Sequence, residues 1–218
     1  MLSSFKKCAV FIETRVDIKN IDIIKQHMCY LPDWKLVICT TEKSWQKLYS
    51  LFDCLFFEIP NLQNYPHDIN NLMTNSQFWK SFLQLGCKHL LIFQHDSGLL
   101  KFNIDDFLQY DYVGAPWCVD WYEHGGNGGL SLRNPQTMYE ICVQNHYDYS
   151  KHGCEDMFFS TIMYDQFRAK LAPREVCSEF SVEGILKMGT TGYHKIHSYH
   201  PPETVEKILA QAEVFFLN

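Results

Sequence analysis

The sequence has little charge of either sign and no long apolar run. Lys and Arg number 19, Asp and Glu number 25, and the formal net charge of the 218 residues is −6. Because no cluster of basic residues is present, nucleic acid is disfavoured as the main ligand. The longest apolar runs, 8–12 and 90–93, are far shorter than the ~20 residues that span a bilayer, and no signal peptide is recognisable. These absences predict a soluble, cytoplasmic protein without a membrane span.

The nine cysteines include no Cys-x-x-Cys pair, which argues against a zinc ribbon and against a thioredoxin-type redox centre. Several of them lie inside apolar segments, as small buried hydrophobic residues do. Their number is odd, so they cannot all pair within the chain. We expect free thiols in a reducing compartment.

Apolar residues are abundant instead, since 46% of the chain is hydrophobic and 15% is aromatic. That composition supports a large core and excludes disorder. In the first half, short apolar runs alternate with helical patterns, which predicts a mainly parallel sheet with helices on both faces. Strands are expected at 8–12, 35–40, 54–59 and 89–93. Helices are expected at 18–28, from about Ser44 as N-cap, and at 69–85 before Gly86.

The second half is expected to add further elements at the carboxyl edge of the same sheet. They are a strand at 130–133, a helix from Pro135, a helix at 155–167, a strand at 180–182 and a helix at 202–216. No linker and no internal repeat interrupts the chain. We therefore predict one α/β domain over 1–218.

The segment Gln94-His95-Asp96-Ser97-Gly98 directly follows a predicted buried strand. Ligands of open α/β sheets bind beyond the carboxyl ends of strands, so this segment is expected at a site. The Asp96 carboxylate could bind a divalent cation, and that cation could neutralise a diphosphate. The alternative is an ordinary turn, in which Asp96 and Ser97 satisfy backbone donors.

The run 125–129 is rich in glycine, which lets a backbone approach a ligand closely. It is not a phosphate-binding P-loop, because no Lys-Ser or Lys-Thr follows it, and a surface turn is the simpler explanation. Just before it stand Trp117, Trp121 and Tyr122. Their flat faces could stack on a sugar ring or complete a small core.

Glu155 and Asp156 form an acidic pair that opens a helix. The helix dipole stabilises an acid at this position, which is the simplest explanation. Alternatively, one of the two is a general base that deprotonates a hydroxyl, and the other then caps the helix N-terminus.

His194, His197 and His200 have a spacing that is compatible with a zinc site. However, Gly192 and Pro201 flank them, no regular helix places them on one face, and His-x-x-His without a glutamate is a weak metalloprotease signal. A single histidine as metal ligand, with Lys195 beside it for phosphate, is favoured.

Eight motifs occur in order over nearly the whole chain. They are Ala9-Val-Phe-Ile-Glu13, Asn75 to Trp79, Phe93-Gln-His-Asp-Ser-Gly98, Tyr110-Asp-Tyr-Val-Gly-Ala-Pro-Trp117, Gly126-Asn-Gly-Gly-Leu-Ser-Leu-Arg133, Glu155-Asp-Met-Phe-Phe159, Phe180-Ser-Val-Glu183 and Gly192-Tyr-His-Lys195. This series resembles the nucleotide-sugar glycosyltransferases of GT-A fold. It looks most like a small glycosyltransferase-like family with microbial and large-virus members.

The resemblance implies a single GT-A-like, Rossmann-like domain that moves a hexose-type sugar from a UDP-sugar to an acceptor hydroxyl, with inversion. The acceptor is a glycan, a protein or a small molecule, and a homodimer is a possible assembly. Residues 1–100 would bind the nucleotide sugar, whereas residues 101–218 would bind the acceptor and carry the catalytic groups. The implied cofactor is a divalent metal, Mn²⁺ or Mg²⁺.

The same resemblance assigns individual residues. Asp96 and His194 are the implied metal ligands, and Asp156 is the implied base with Glu155 second. The implied donor-binding residues are Thr14, Arg15, Gln94, Asp96, Ser97 and Lys195. The implied sugar and acceptor pocket is formed by Trp117, Gly128 and Gly129.

One departure from the family pattern leaves other functions open. His95-Asp96-Ser97 stands where the family motif is Asp-x-Asp. With one carboxylate fewer, the protein would bind the metal more weakly, and the diphosphate would supply most of the metal's ligands. An inactive module that binds a sugar nucleotide or a glycan is therefore an alternative. A metal-dependent hydrolase built on the histidines at 194–200 is a further one.

Overall fold

The computed structural model describes residues 5–15, 17–118, 124–167 and 170–213. Its strands are β1 (Lys7–Ile12), β2 (Lys35–Thr40), β3 (Cys54–Glu58), β4 (His89–Phe93), β5 (Ser97–Leu99), β6 (Tyr112–Gly114), β7 (Leu130–Arg133), β8 (Ser181–Val182) and β9 (Gly192–His194). Its α-helices are α1 (Ile18–Cys29), α2 (Glu42–Trp45), α3 (His67–Met73), α4 (Ser76–Gln84), α5 (Pro135–Gln144), α6 (Tyr149–His152), α7 (Glu155–Ile162), α8 (Arg174–Phe180), α9 (Ile196–Tyr199) and α10 (Pro202–Leu209). A 3₁₀-helix covers Ile104–Phe107, and a π-helical turn covers Met163–Phe167.

Six strands form the central sheet, in the order β3-β2-β1-β4-β7-β6. β3, β2, β1 and β4 pair in parallel, and the register places Val10 of β1 opposite Val37 on one side and Ile92 on the other. β7 pairs antiparallel with both β4 and β6, so it runs against the other five strands. The predicted α/β fold with a mainly parallel central sheet is confirmed.

Both faces of this sheet are buried, which is why its parallel strands are almost wholly apolar. Along β1, Cys8, Val10 and Ile12 belong to one hydrophobic cluster, whereas Ala9 and Phe11 belong to another. Helices α3, α4, α5 and α7 contribute to the first cluster, and α1 and α8 contribute to the second. Each large apolar side chain that is buried in this way stabilises the fold by about 1.5–3 kcal/mol. Helices therefore flank the sheet on both faces, as the sequence predicts.

A second sheet of three strands has the order β5-β9-β8. β5 and β9 are antiparallel, and their register places Ser97 opposite His194 and Gly98 opposite Tyr193. A Cβ atom at position 98 would lie 2.5 Å from the Tyr193 ring, so glycine leaves the space in which this ring packs on β5. The pairing brings His194 beside the residues that follow β4.

Two predicted helix starts differ from the observed ones. The helix expected at 69–85 is two helices, α3 and α4, because the Asn75 side chain accepts a hydrogen bond from the Gln77 N–H and caps a new helix. The N-cap of α2 is Thr41 rather than Ser44. Ser44 is buried, and its hydroxyl donates to the Thr14 carbonyl oxygen instead. Side-chain hydrogen bonds decide both boundaries.

Further differences lie in the part of the chain that follows β4. The strand expected at 180–182 is shortened to β8, because Phe180 is the last residue of a helix that was not predicted, α8. β5, β6 and β9 were not predicted either, since three-residue strands are too short to show a period. The helix expected at 155–167 is α7 followed by the π-helical turn. The helix expected at 202–216 ends at Leu209, and positions 214–216 lie outside the described residues.

Within the described ranges, no helix is long and apolar enough to cross a membrane. All nine cysteines lie in those ranges, and each is a free thiol.

Candidate functional site

A cavity of about 530 Å³ lies at the carboxyl ends of β1 and β4. Neighbouring parallel strands end at the same edge of the sheet, so the segments that follow them converge there. Four of the residues predicted to bind the donor line this cavity. They are Arg15, Gln94, Asp96 and Lys195.

The pairing of β5 with β9 places the predicted metal ligands side by side. Asp96 Oδ1 lies 3.2 Å from His194 Nε2. Both atoms are buried, yet neither has a hydrogen bond of acceptable geometry to any described residue. Burial raises the pKa of Asp96, but the adjacent His194 outweighs that effect and lowers it. An oxygen and an imidazole nitrogen that face each other without a hydrogen bond fit two adjacent ligands of one divalent cation.

A buried carboxylate lies on the other side of the same imidazole. Glu183 Oε1 is 2.9 Å from His194 Nδ1, and the Glu183 side chain is 7% exposed. Burial lowers the pKa of His194, but Asp96 and Glu183 outweigh it and raise that pKa to about 9. Sequence reasoning gave Glu183 no role, although an acid directly after a short apolar strand was the available signal.

A third carboxylate, Glu13, organises the opposite wall of the cavity. Its Oε1 accepts hydrogen bonds from the backbone N–H groups of Thr14 and Arg15, and the Arg15 guanidinium bonds to both of its oxygens. His95 Nδ1 lies 3.2 Å from Glu13 Oε2. Burial raises the pKa of Glu13, but the hydrogen bonds from His95 and Arg15 prevail and lower it to about 2. Glu13 therefore holds the Arg15 guanidinium and the His95 imidazole at the cavity, a role that sequence reasoning missed.

Lys195 has an unusual backbone conformation beside this cavity. Its φ of 54° and ψ of 26° are left-handed, the only such angles of a non-glycine residue in the described ranges. Its N–H donates to the Asp96 carbonyl oxygen at 2.8 Å. A left-handed non-glycine residue costs of order 1–2 kcal/mol and is enriched at functional sites. The turn after β9 thereby directs Lys195 to the cavity next to Asp96.

The glycine turn at 128–129 packs against His194 on one side and Glu155 on the other. A Cβ atom at Gly129 would lie 2.1 Å from His194 Nε2, and one at Gly128 would lie 2.4 Å from Glu155 Oε1. The Gly129 carbonyl oxygen accepts a hydrogen bond from the Gln94 N–H. Only residues without a side chain permit this approach, so the turn is a packed element of the site.

Glu155 has a different partner from the one expected. Its carboxylate makes two hydrogen bonds, of 2.6 and 2.8 Å, with the fully buried guanidinium of Arg133. The alternative in which Glu155 caps the helix N-terminus is wrong, because its carboxylate pairs with Arg133 and the N-cap residue of α7 is Cys154. The N–H of Glu155 instead donates to the Asn70 side-chain oxygen. The buried guanidinium takes the carboxylate because a buried charge requires a partner.

Asp156 is buried directly behind the glycine turn. Its Oδ2 accepts a hydrogen bond of 3.0 Å from the Gly128 N–H, and its Oδ1 accepts one of 2.8 Å from the Met157 N–H. Burial, assisted by the charge of Glu155, raises the pKa of Asp156 to about 7. A carboxyl group with this pKa exchanges protons readily near neutral pH.

Eight predicted site residues do not line the cavity. Five of them, Gly128, Gly129, Glu155, Asp156 and His194, pack around its lining as described above, and the other three are Ser97, Thr14 and Trp117. Ser97 is buried, and its hydroxyl donates to the Gln94 carbonyl oxygen. Thr14 is buried, and its hydroxyl oxygen accepts from the Leu62 N–H. The carbonyl oxygen of Trp117 accepts from the Arg174 guanidinium. These residues support the loops of the site. Trp121 and Tyr122 fall outside the described residues.

The three histidines near the end of the chain are not gathered around one point. His197 is exposed on α9, and His200 Nε2 bonds to the Glu183 carbonyl oxygen. In the part of the chain that the structure describes, no three His, Cys, Asp or Glu side chains are grouped as ligands of one metal ion. This geometry does not favour the histidine-based hydrolase.

Solved structures with a similar fold include transferases of two kinds. A cytidylyltransferase from Leptospira borgpetersenii serovar Hardjo-bovis has a TM-score of 0.50 at 9% identity, over 77% of this chain and 74% of that chain. The glycosyltransferase GlyE of Streptococcus pneumoniae TIGR4 has a TM-score of 0.48 at 12% identity, over 75% of this chain and 44% of GlyE. A glycosyltransferase involved in the glycosylation of the major capsid of PBCV-1 has a TM-score of 0.44 at 10% identity, over 95% of this chain and 100% of that chain.

At these identities the likeness concerns the fold alone, and it agrees with the GT-A-like class expected from the sequence. The chain spans less than half of the length of GlyE. Comparison with curated protein sequences gives no match.

A family model described as "Protein of unknown function (DUF5672)" matches residues 52–198. The matched range is well over half of the chain. It includes Asp96, Asp156, Glu183 and His194, and it leaves out the segment that carries Glu13. The chain belongs to the DUF5672 family.

Proposed function

We propose that this chain is a glycosyltransferase that moves a hexose-type sugar from a nucleoside diphosphate sugar to an acceptor hydroxyl. The observation that carries the proposal is the pair Asp96 Oδ1 and His194 Nε2, buried, 3.2 Å apart and without hydrogen bonds. Asp96 also lines a cavity that is large enough for a nucleotide. An aspartate and a histidine that face one point at the carboxyl edge of an α/β sheet suit a metal-bridged diphosphate.

The donor would bind with its diphosphate between the two walls of the cavity. Arg15 and Lys195 supply cationic groups, and Glu13 holds the Arg15 guanidinium in place. Asp96 and His194 would hold Mn²⁺ or Mg²⁺, which, when bound, neutralises charge that develops on the leaving diphosphate. Two protein ligands leave positions for phosphate oxygens and water, so the metal and the donor should bind together. UDP is the donor nucleotide that we favour.

Asp156 is the proposed general base. In this role its carboxylate accepts the proton of the acceptor hydroxyl while that oxygen attacks the anomeric carbon, which inverts the configuration. The Gly128-Gly129 turn connects the two halves of the site, because Gly128 N–H donates to Asp156 while Gly129 packs on His194. Glu155 would not be the base, because its charge neutralises the buried guanidinium of Arg133.

An inactive module that binds a sugar nucleotide is the second candidate. Its support is that only one carboxylate stands in His95-Asp96-Ser97. Such a module would bind UDP but release none from UDP-sugars, whereas a glycosyltransferase releases UDP when an acceptor is present. Incubation with a panel of UDP-sugars and acceptors, followed by detection of UDP, separates the two candidates.

The first test is calorimetric titration with UDP, in Mn²⁺ and in EDTA, on the wild type and on Asp96→Ala. We expect Mn²⁺ to tighten UDP binding to the wild type. In Mn²⁺, the UDP affinity of Asp96→Ala should be lower than that of the wild type by about tenfold or more. Asp22→Ala removes an exposed carboxylate of α1 and is the matched control, with binding as in the wild type. If neither UDP nor GDP binds, or if the affinity is the same with and without Mn²⁺ and in the Asp96→Ala variant, the proposed function is wrong.

A further inference from the structure

The His194 imidazole lies between two carboxylates that contact it in different ways. Its Nδ1 makes a hydrogen bond of 2.9 Å with Glu183 Oε1. Its Nε2 faces Asp96 Oδ1 at 3.2 Å without making a hydrogen bond. A ring nitrogen that is hydrogen-bonded to a carboxylate carries a hydrogen, so Nδ1 is a donor to Glu183. A cation that displaces the hydrogen of Nε2 would then find the lone pair of that nitrogen directed towards Asp96.

The fold holds Glu183 rigidly in this position. Glu183 directly follows β8, and β8 pairs in parallel with β9, so that Val182 lies opposite Tyr193. The next residue along each strand is then Glu183 on one and His194 on the other. The Glu183 carbonyl oxygen also bonds with His200 Nε2. The backbone of Glu183 is therefore held from two sides, and its carboxylate reaches His194 from that fixed position.

The glycine turn completes the restraint on the ring. Gly129 packs so closely on the imidazole that a Cβ atom there would lie 2.4 Å from His194 Cε1. This contact limits tilting of the ring, but it does not determine which nitrogen faces Asp96. In the described part of the chain, Nδ1 makes a hydrogen bond, to Glu183, whereas Nε2 makes none.

We infer that Glu183 is a positioning residue, which fixes the imidazole of His194 so that Nε2 is presented, as a metal ligand, towards Asp96. This inference rests on the proposed function and extends it to a residue that does not itself contact the metal or the donor. Carboxylates that orient metal-binding histidines typically contribute 10–100-fold to metal affinity.

The test is the metal-dependent part of UDP affinity, measured by calorimetry on Glu183→Gln. An amide at this position can either accept from or donate to Nδ1, so it no longer selects one ring state. We expect UDP affinity in EDTA to stay within about twofold of the wild type, and affinity in Mn²⁺ to fall by about tenfold or more. A general loss of structure would lower both affinities together.

Glu179→Gln is the matched control, because it removes a carboxylate of α8 that is 64% exposed and forms an ion pair with Lys187 at 3.8 Å. It should bind UDP as the wild type does in both conditions. Thermal unfolding shows whether each variant is folded. If Glu183→Gln does not fold, Glu183→Asp, which keeps the charge but draws it back by one methylene, should lose part of the same Mn²⁺-dependent affinity.

The failure of this inference is distinguishable from that of the proposed function. If Mn²⁺ tightens UDP binding equally in the wild type and in the folded Glu183 variant, while Asp96→Ala abolishes the effect, Glu183 does not position His194 and the metal pair stands. If Mn²⁺ has no effect on the wild type, the metal pair and this inference are both overturned.

Discussion

The buried pair of Arg133 and Glu155 allows a quantitative test of what the acidic pair at 155–156 does. The Arg133 side chain is 0% exposed, and its guanidinium lies 4.8 to 5.9 Å from the ring centroids of Tyr112, Phe159 and Trp79. Glu155 is the carboxylate that neutralises it, through two short hydrogen bonds. Glu155→Gln keeps the size of the side chain but leaves the guanidinium with a neutral partner in an apolar environment.

Breaking a buried ion pair by removing one charge typically costs about 3–5 kcal/mol of unfolding free energy. Glu155 is almost fully buried and Arg133 fully so, hence we expect a loss in this range. With an m-value of ~3 kcal/mol/M in urea, the unfolding midpoint should fall by roughly 1–1.7 M. Intrinsic fluorescence, to which Trp79 beside Arg133 and the four other tryptophans contribute, follows this transition.

Two further variants make the result interpretable. Glu175→Gln removes an exposed acid from the first turn of α8, as Glu155→Gln does from the first turn of α7, so it measures the helix-dipole effect alone, about 0.3–1 kcal/mol. The double variant Arg133→Met/Glu155→Leu removes both charges and should recover most of the stability lost by Glu155→Gln. If Glu155→Gln costs no more than Glu175→Gln, our account of Glu155 as a structural partner is refuted.

Two other predictions follow from the pKa values of buried carboxyl groups. Asp156→Asn should abolish sugar transfer and leave UDP affinity within about threefold of the wild type. The rate of the wild type should rise with pH through about 7, because only the ionised carboxylate accepts a proton. If the Asp156→Asn variant transfers sugar at the wild-type rate, Asp156 is not the base. Glu13, whose pKa falls from 4.5 to about 2 on folding, should contribute about 3 kcal/mol of stability above pH 4.5 and lose it as the pH falls towards 2. Urea unfolding of Glu13→Gln beside the exposed control Glu58→Gln checks this, and equal acid sensitivity of Glu13→Gln and the wild type would contradict it.

Much of the central sheet could be predicted from the sequence. The runs at 35–40, 89–93 and 130–133 are observed strands with those same limits. The first two are parallel strands that are buried on both faces, which makes them largely apolar and so recognisable. The boundaries that failed, at Thr41 and Asn75, depend on single side-chain hydrogen bonds that an apolar pattern does not reveal.

Part of the site was also predictable. Arg15, Gln94 and Asp96 follow parallel strands, and the rule that ligands bind at the carboxyl ends of such strands places them together. The sequence could not distinguish Glu155 from Asp156, since the two are adjacent and of the same type. Their environments separate them, because one meets a buried guanidinium and the other meets backbone N–H groups.

The sequence by itself determined the layered α/β architecture and the edge at which a ligand would bind, since both follow from local apolar periods and chain order. Only the tertiary structure decided that His194 meets Asp96 and that Glu183 lies behind it. Those contacts depend on the pairing of β9 with β5 and β8, which joins segments far apart in the chain through three-residue and two-residue strands. Such short pairings are stabilised by the packing of the whole domain rather than by local propensity, so their register becomes visible only in the folded molecule.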